Sequence, residues 1–170
     1  MVWKTGANAQ LGVPDFQPTT VDTTARCPIG TIVKAYDDTQ GEGEFIYLPG
    51  VAAVAVGDMV EYDLAPGAQA IVRGTNATSS NSGRPVAFAM GAIVAGCYGW
   101  FQIAGVAVVS TVGGTVAGNM YATATAGSVG NTLDAGDQVL NARISTAVGT
   151  PSANKSYATI NRPFKQGNIT

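Results

Sequence analysis

Histidine is absent from the sequence, and charged residues make up only 12% of it. Soluble domains usually carry about 25% charged residues. Residues 85–133 contain no Asp, Glu, Lys or Arg at all. Histidine is the side chain that most often moves protons near neutral pH, so its absence argues against an enzyme. A long uncharged stretch is typical instead of a chain that packs against other protein surfaces.

Cysteine is scarce as well, and Cys27 and Cys97 lie far apart. Neither belongs to a zinc-ligand spacing, and no histidine could complete such a site. We therefore expect no metal and no cofactor. Two buried, reduced thiols are the simplest interpretation, and the sequence leaves a disulfide open. The formal charge of −2 and the pI near 4.8 provide no basic surface, so we expect no nucleic-acid partner.

Membrane segments are the next class to consider. No apolar run follows the first charge, so we expect no signal peptide. Residues 86–109 are uncharged and long enough to span a bilayer. However, glycines interrupt this run, and its β-branched and aromatic content after Cys97 favours strands. We therefore expect no membrane partner.

Short segments with strand character, separated by Gly, Pro, Asn and Asp, dominate the rest of the chain, and no stretch shows a helical period. The predicted strands are residues 29–36, 44–48, 58–63, 70–73, two or three within 85–109, 139–144 and 157–161. This pattern predicts an all-β fold, a single β-barrel, jelly-roll or β-tulip-like domain. We expect an extended N-terminal arm at residues 1–25, the β domain at 26–164 and a C-terminal tail at 165–170.

One predicted strand, residues 99–109, is apolar at both odd and even positions. Successive strand residues face opposite sides, so both faces of this strand need a cover. One face would meet the core, and the other would meet a second sheet or a partner. Trp100 lies on the second face and is a candidate interface residue.

The predicted arm is interrupted by Pro and Gly, yet it carries several apolar side chains. It is either a disordered terminus or a segment that orders on a neighbouring subunit. The candidate interface residues outside the strand just described are Trp3, Leu11, Val13, Phe16 and, near the C-terminus, Phe164.

Acidic residues crowd one predicted turn, with Asp37 and Asp38 before Gly41 and Glu42 and Glu44 after it. Calcium loops also combine carboxylates with a turn glycine, but the spacing is not that of an EF-hand. We interpret the turn as a solvated hairpin tip. The sequence contains no motif for a nucleophile or a phosphate-binding loop, so we expect no catalytic residues.

A turn motif recurs before several predicted strands. Residues 55–60 resemble residues 116–121 and 134–139, each with a Gly-Asp or Gly-Asn pair that begins a strand. The spacing is irregular, so the motif indicates a repeated type of turn and not a solenoid.

Four segments carry a resemblance to a known class of proteins. They are residues 84–90, 99–109, 121–127 and 135–143. Over residues 28–164 the chain resembles the capsid decoration (cement) proteins of tailed bacteriophages. The resemblance implies a β-barrel, jelly-roll or β-tulip fold on the outer surface of the virion, where such proteins clamp neighbouring major capsid proteins. It implies no catalytic residues.

The expected function is therefore that of a structural virion protein which stabilises the expanded head. Its expected partners are the major capsid protein and other copies of itself, as a homotrimer or, less favoured, a homodimer. Weak contacts repeated over a lattice would provide the affinity. The alternatives are a receptor- or carbohydrate-binding β-module of a phage fibre or adhesin and, third, a hydrolase with a carboxylate pair.

Overall fold

The computed structural model describes residues 3–5, 17–65, 67–70, 83–133 and 136–166. All regular elements within these ranges are β-strands. They are β1 (Lys4–Thr5), β2 (Ile32–Asp37), β3 (Gly41–Pro49), β4 (Met59–Asp63), β5 (Gly67–Ala70), β6 (Val86–Ala89), β7 (Tyr98–Ser110), β8 (Gly118–Ala122), β9 (Val129–Gly130), β10 (Gln138–Ile144) and β11 (Lys155–Lys165). The prediction of an all-β, barrel-like domain is confirmed. Within the same ranges, no helix has the length and apolar character that crossing a membrane requires.

The strands form one curled antiparallel sheet, a half-barrel. Its main path runs β1-β2-β3-β7-β11-β10-β8-β9, and β6, β4 and β5 branch from it at β7. The 13-residue β7 is central because its first half pairs with β3 and β6 and its second half pairs with β11. Gly105 lies at the change of partner with a φ of 100°. A Cβ atom there would collide with the carbonyl oxygen of Glu42, so the bend requires glycine.

Turns of one kind precede several strands. Before β4, the Asp58 amide donates to the Ala55 carbonyl at 3.1 Å, and Gly57 has a φ of 83°. A positive φ at the third position is typical of a type II turn, which favours glycine. The Gly57-Asp58 turn predicted from the repeated motif is therefore present. A similar turn precedes β7, where Gly96 has a φ of 79° but is followed by Cys97 instead of Asp or Asn.

Among the described residues, the core consists of three apolar clusters. The first includes Met59 and Phe88, and the second includes Leu48 and Phe101. The third cluster contains Trp3, Ala35, Phe45, Tyr47, Met90 and Trp100. Because Tyr47 and Leu48 are adjacent in β3, they face opposite sides, and so do Trp100 and Phe101 in β7. Both faces of these two strands are therefore covered within the chain itself.

The predicted boundaries differ from the structure at both ends. Lys4–Thr5 pairs with β2, so the start of the predicted arm belongs to the sheet. The predicted tail begins at residue 165, but β11 includes Lys165, and its side chain is buried. These two end segments became part of the sheet because distant strands offer them hydrogen-bond partners.

Candidate interaction surface

Two loops of matching structure meet at the start of β4 and β7. Gly50 donates its amide hydrogen to the Cys97 carbonyl at 2.8 Å, and Ala89 donates to the Asp58 carbonyl at 3.0 Å. Positions 50 and 97 of the first contact correspond to positions 89 and 58 of the second. The loops are thus related by a local pseudo-two-fold axis, and β3 pairs with β7 as β6 pairs with β4.

Exposed apolar side chains cover these two loops. Val51, Val56 and Val94 are 40%, 46% and 47% exposed. The other exposed residues of the two loops are Ala or Gly, at positions 52, 53, 55, 92, 95 and 96. Residues 51–57 and 90–96 carry no charge. We call residues 51–56 and 92–96 the paired-loop surface.

A polar cluster holds one of these loops in place. The Asp58 carboxylate accepts the Ala55 amide hydrogen at 2.8 Å and the Ser110 hydroxyl hydrogen at 2.7 Å. The Lys155 ammonium group donates to Ser110 Oγ at 2.7 Å and to the Val56 carbonyl. The cluster therefore joins the loop before β4, the end of β7 and the start of β11.

The side chains of this cluster bind one another and the adjacent backbone, and so they hold separate segments together. Ser110 donates its hydroxyl hydrogen to Asp58 and accepts a hydrogen bond from Lys155, so the three side chains are engaged with one another. Burial lowers the pKa of Lys155, and the charge of the nearby Asp58 opposes this shift. Asp58 also faces inward, which leaves the paired-loop surface without a charge.

Trp100 is the main correction to the predicted interface residues. Its side chain is only 5% exposed and lies against Tyr47, with the two ring centroids 5.0 Å apart. It is a core residue of the third cluster, because Trp3, Phe45 and Met90 cover the face of β7 that the sequence pattern left without a cover. The structure therefore buries Trp100 within the chain instead of leaving it exposed, and whether it contacts a partner stays a prediction.

The other interface candidates have different positions. Trp3 is 7% exposed and packs edge-on against Phe45, with ring centroids 4.7 Å apart. Phe164 is half-buried opposite Leu140 in the ladder between β10 and β11. Leu11, Val13 and Phe16 lie outside the described residues, so whether they contact a partner stays a prediction.

The acidic hairpin is only partly the solvated tip that we expected. Asp37 is 3% exposed, and its Oδ1 accepts the amide hydrogens of Thr39 and Gln40 at 2.9 and 3.1 Å. This acidic side chain therefore stabilises the turn. Asp38 is exposed and forms an ion pair with Lys4 at 3.0 Å. Among the described residues, no group of three metal-ligating side chains occurs.

Glu44 forms the centre of an open groove of about 250 Å³. Its Oε2 accepts hydrogen bonds from Arg162 Nε and Nη2 at 3.1 and 2.9 Å, and Lys34 Nζ lies 3.4 Å from Oε1. Burial alone would raise the pKa of Glu44, but Arg162 and Lys34 outweigh it and lower the pKa. Arg162 lies where β11 bulges, and its φ is 48°. Its ion pair with Glu44 therefore fixes β11 at the bulge.

Both cysteines are free and half-buried. Burial raises the pKa of the Cys27 thiol, which makes it less reactive. Cys27 packs against the third cluster and Cys97 against the second. Both thiols are unpaired in this structure, and they are half-buried where full burial was expected.

Comparison with models of known families, with curated proteins and with solved structures finds no match to this chain.

Proposed function

We propose that this chain is a structural protein of a phage head, which binds the outer surface of the capsid and bridges major capsid protein subunits. The observation that carries the proposal is the paired-loop surface. Single exposed apolar side chains are common on soluble proteins. A cluster of them in two adjoining uncharged loops is different, because contiguous apolar patches mark interaction sites.

The residue types of the paired-loop surface suit contact with another protein. Ala and Gly separate the exposed valines Val51, Val56 and Val94, so a partner's backbone can approach closely. Such contacts are individually weak. Repetition over a capsid lattice multiplies them, and binding to the assembled shell alone stabilises that shell by mass action.

The polar clusters support a structural role because they hold the fold together. Glu44 is neutralised by two cations, and Asp58, Ser110 and Lys155 hold three segments together. The alternative of a carbohydrate-binding module needs aromatic rings beside a groove. The groove at Glu44 is lined, among the described residues, by charged, Asn, Ala and Gly side chains, so no observation favours that alternative.

Cosedimentation with expanded phage heads that lack this protein tests the proposal. We expect the chain to sediment with the heads and to raise the temperature at which they open. Val51→Asp combined with Val94→Asp should abolish binding, because two charges would be buried in an apolar contact. Val116→Asp is the matched control, since Val116 is 51% exposed and lies away from both loops in the sequence.

Circular dichroism should show that both variants keep the β fold. Failure of the unaltered chain to sediment with the heads would contradict the proposed function. Equal binding by the double variant and the control would instead remove the paired-loop surface as the contact. Light scattering of the free protein then tests the accompanying proposal of a homotrimer, with a homodimer as the alternative.

A further inference from the structure

Trp3 occupies a slot on the β2–β3 hairpin, and the slot exists because residue 43 is a glycine without a side chain. A Cβ atom on Gly43 would lie 3.1 Å from Trp3 Cη2 and from two atoms of the Phe45 ring. Lys4 and Thr5 then pair with Tyr36 and Ala35 at the outer edge of β2. The slot therefore accepts an extended segment that is anchored by one tryptophan.

This site contains polar groups without partners. The indole nitrogen of Trp3 is buried, and the described residues provide it with no acceptor. Gln40, in the turn of the same hairpin, is 7% exposed, and neither its amide nitrogen nor its amide oxygen has a partner there. Buried indole and amide groups normally form hydrogen bonds, so the described part of one copy leaves this contact chemically incomplete.

The edge of the sheet next to the slot is also incompletely covered. Among the described residues, β1 pairs with only two residues of β2, Ala35 and Tyr36. Ile32 at the other end of β2 is 44% exposed, and the neighbouring Ile29 is 45% exposed. A strand edge with exposed apolar side chains is a surface on which another chain can pair.

The segment that enters the slot is joined to the body by residues 6–16. At full extension this length spans roughly 35–40 Å. A domain of this size has a radius of gyration of about 15 Å. Residues 3–5 can therefore reach the equivalent slot of an adjacent molecule without any change in the slot itself.

We propose that residues 3–5 exchange between copies of this chain, so that Trp3 of one copy occupies the slot over Gly43 of the next. The occupant is a second copy because the slot fits this segment, and every copy carries both. Exchange keeps all contacts of Trp3, and it ties the body of the donor to the hairpin that carries the Gln40 amide and lies next to the exposed isoleucines. The exchange specifies how copies are joined in the homo-oligomer of the proposed function, and it rests on that proposed function.

Disulfide trapping between two different chains tests the exchange. Both chains carry Cys27→Ser and Cys97→Ser, and one adds Lys4→Cys and the other Tyr36→Cys. Lys4 and Tyr36 are exposed cross-strand partners. The Cα atoms of such pairs are about 4.5–5.5 Å apart, within the range of a disulfide. After coexpression and oxidation by glutathione, we expect a disulfide-linked heterodimer on a non-reducing gel.

The matched control replaces Tyr36→Cys with Lys34→Cys, which moves the thiol two residues along β2 to a diagonal position about 7–8 Å away. We expect at least fivefold less heterodimer from that pair. A single chain with both Lys4→Cys and Tyr36→Cys should form linked oligomers. If it forms only an internal disulfide or none, or if the mixed chains do not link, the exchange is wrong. Capsid binding is measured separately, so each proposal can fail alone.

Discussion

Lys165 Nζ and Asp137 Oδ1 form an ion pair at 3.0 Å, although the two side chains are only 3% and 1% exposed. Lys165 ends β11, and Asp137 directly precedes β10. Burial of a charge is costly unless an opposite charge compensates it. The pair therefore fixes the last residue of β11 to the sheet at a position that the sequence pattern assigned to a tail.

Removal of one member of this pair should destabilise the fold strongly. We expect Lys165→Met to lower the free energy of unfolding by about 3–5 kcal/mol, because the Asp137 charge would stay buried without its partner. Urea unfolding followed by tryptophan fluorescence measures this value. The double variant with Lys165→Met and Asp137→Leu should recover most of the loss. A single variant as stable as the unaltered chain would contradict the buried pair.

Trp100→Ala tests whether this residue belongs to the core. Truncation of a buried tryptophan costs about 3–5 kcal/mol, and we expect a loss in that range. Val94→Ala is the control, since Val94 is 47% exposed and such changes stay within about 0.5 kcal/mol. An unchanged urea midpoint for Trp100→Ala would mean that Trp100 is exposed in the free protein.

The turn glycines should differ in their tolerance of alanine. Gly96 has a φ of 79°, and a Cβ atom added there would meet no atom within 4 Å, so Gly96→Ala should cost only the backbone strain, about 1 kcal/mol. Gly57→Ala should cost more, because its Cβ would lie 3.1 Å from the Val108 carbonyl oxygen and 3.2 Å from Lys155 Nζ. Gly113→Ala, in open space without a positive φ, is the control. Equal thermal midpoints for all three variants would contradict this order.

Tyr47 should make the fold sensitive to alkali. Burial, opposed by the Arg26 amide and reinforced by the nearby Asp22 carboxylate, raises the pKa of Tyr47 from 10.0 to about 12. The unfolded chain then loses this proton at lower pH than the folded chain. The stability that Tyr47 contributes is complete below pH 10 and is lost as the pH rises through about 12.

Urea unfolding at several pH values between about 8 and 12 measures this loss. We expect Tyr47→Phe to be less stable at the lower end of this range, because the hydrogen bond from its hydroxyl to Asp22 at 2.8 Å is absent. Its stability should nevertheless fall less steeply above the ordinary tyrosine pKa of 10.0. The exposed Tyr36→Phe variant controls for the removal of a phenol. The same slope for Tyr47→Phe and the unaltered chain would contradict the role of Tyr47.

The sequence by itself determined the class of fold. Apolar side chains at alternate positions and turn glycines such as Gly57 act within a few residues, so they predicted the strands β3, β4 and β10 close to their actual bounds. Apolar residues at both odd and even positions of residues 99–109 likewise predicted that both faces of β7 would be covered, and they are.

Only the tertiary structure decided what covers each face. Trp3 covers the face of β7 that carries Trp100, and the two residues are far apart in the sequence. Lys165 and Asp137 also meet only because β10 and β11 pair. Turn and strand preferences are local, whereas the choice between distant strand partners depends on the free energy of the whole sheet. The sequence pattern therefore identified apolar residues at both ends of the chain. The register of the sheet determined which of them, such as Trp3, are buried in the core.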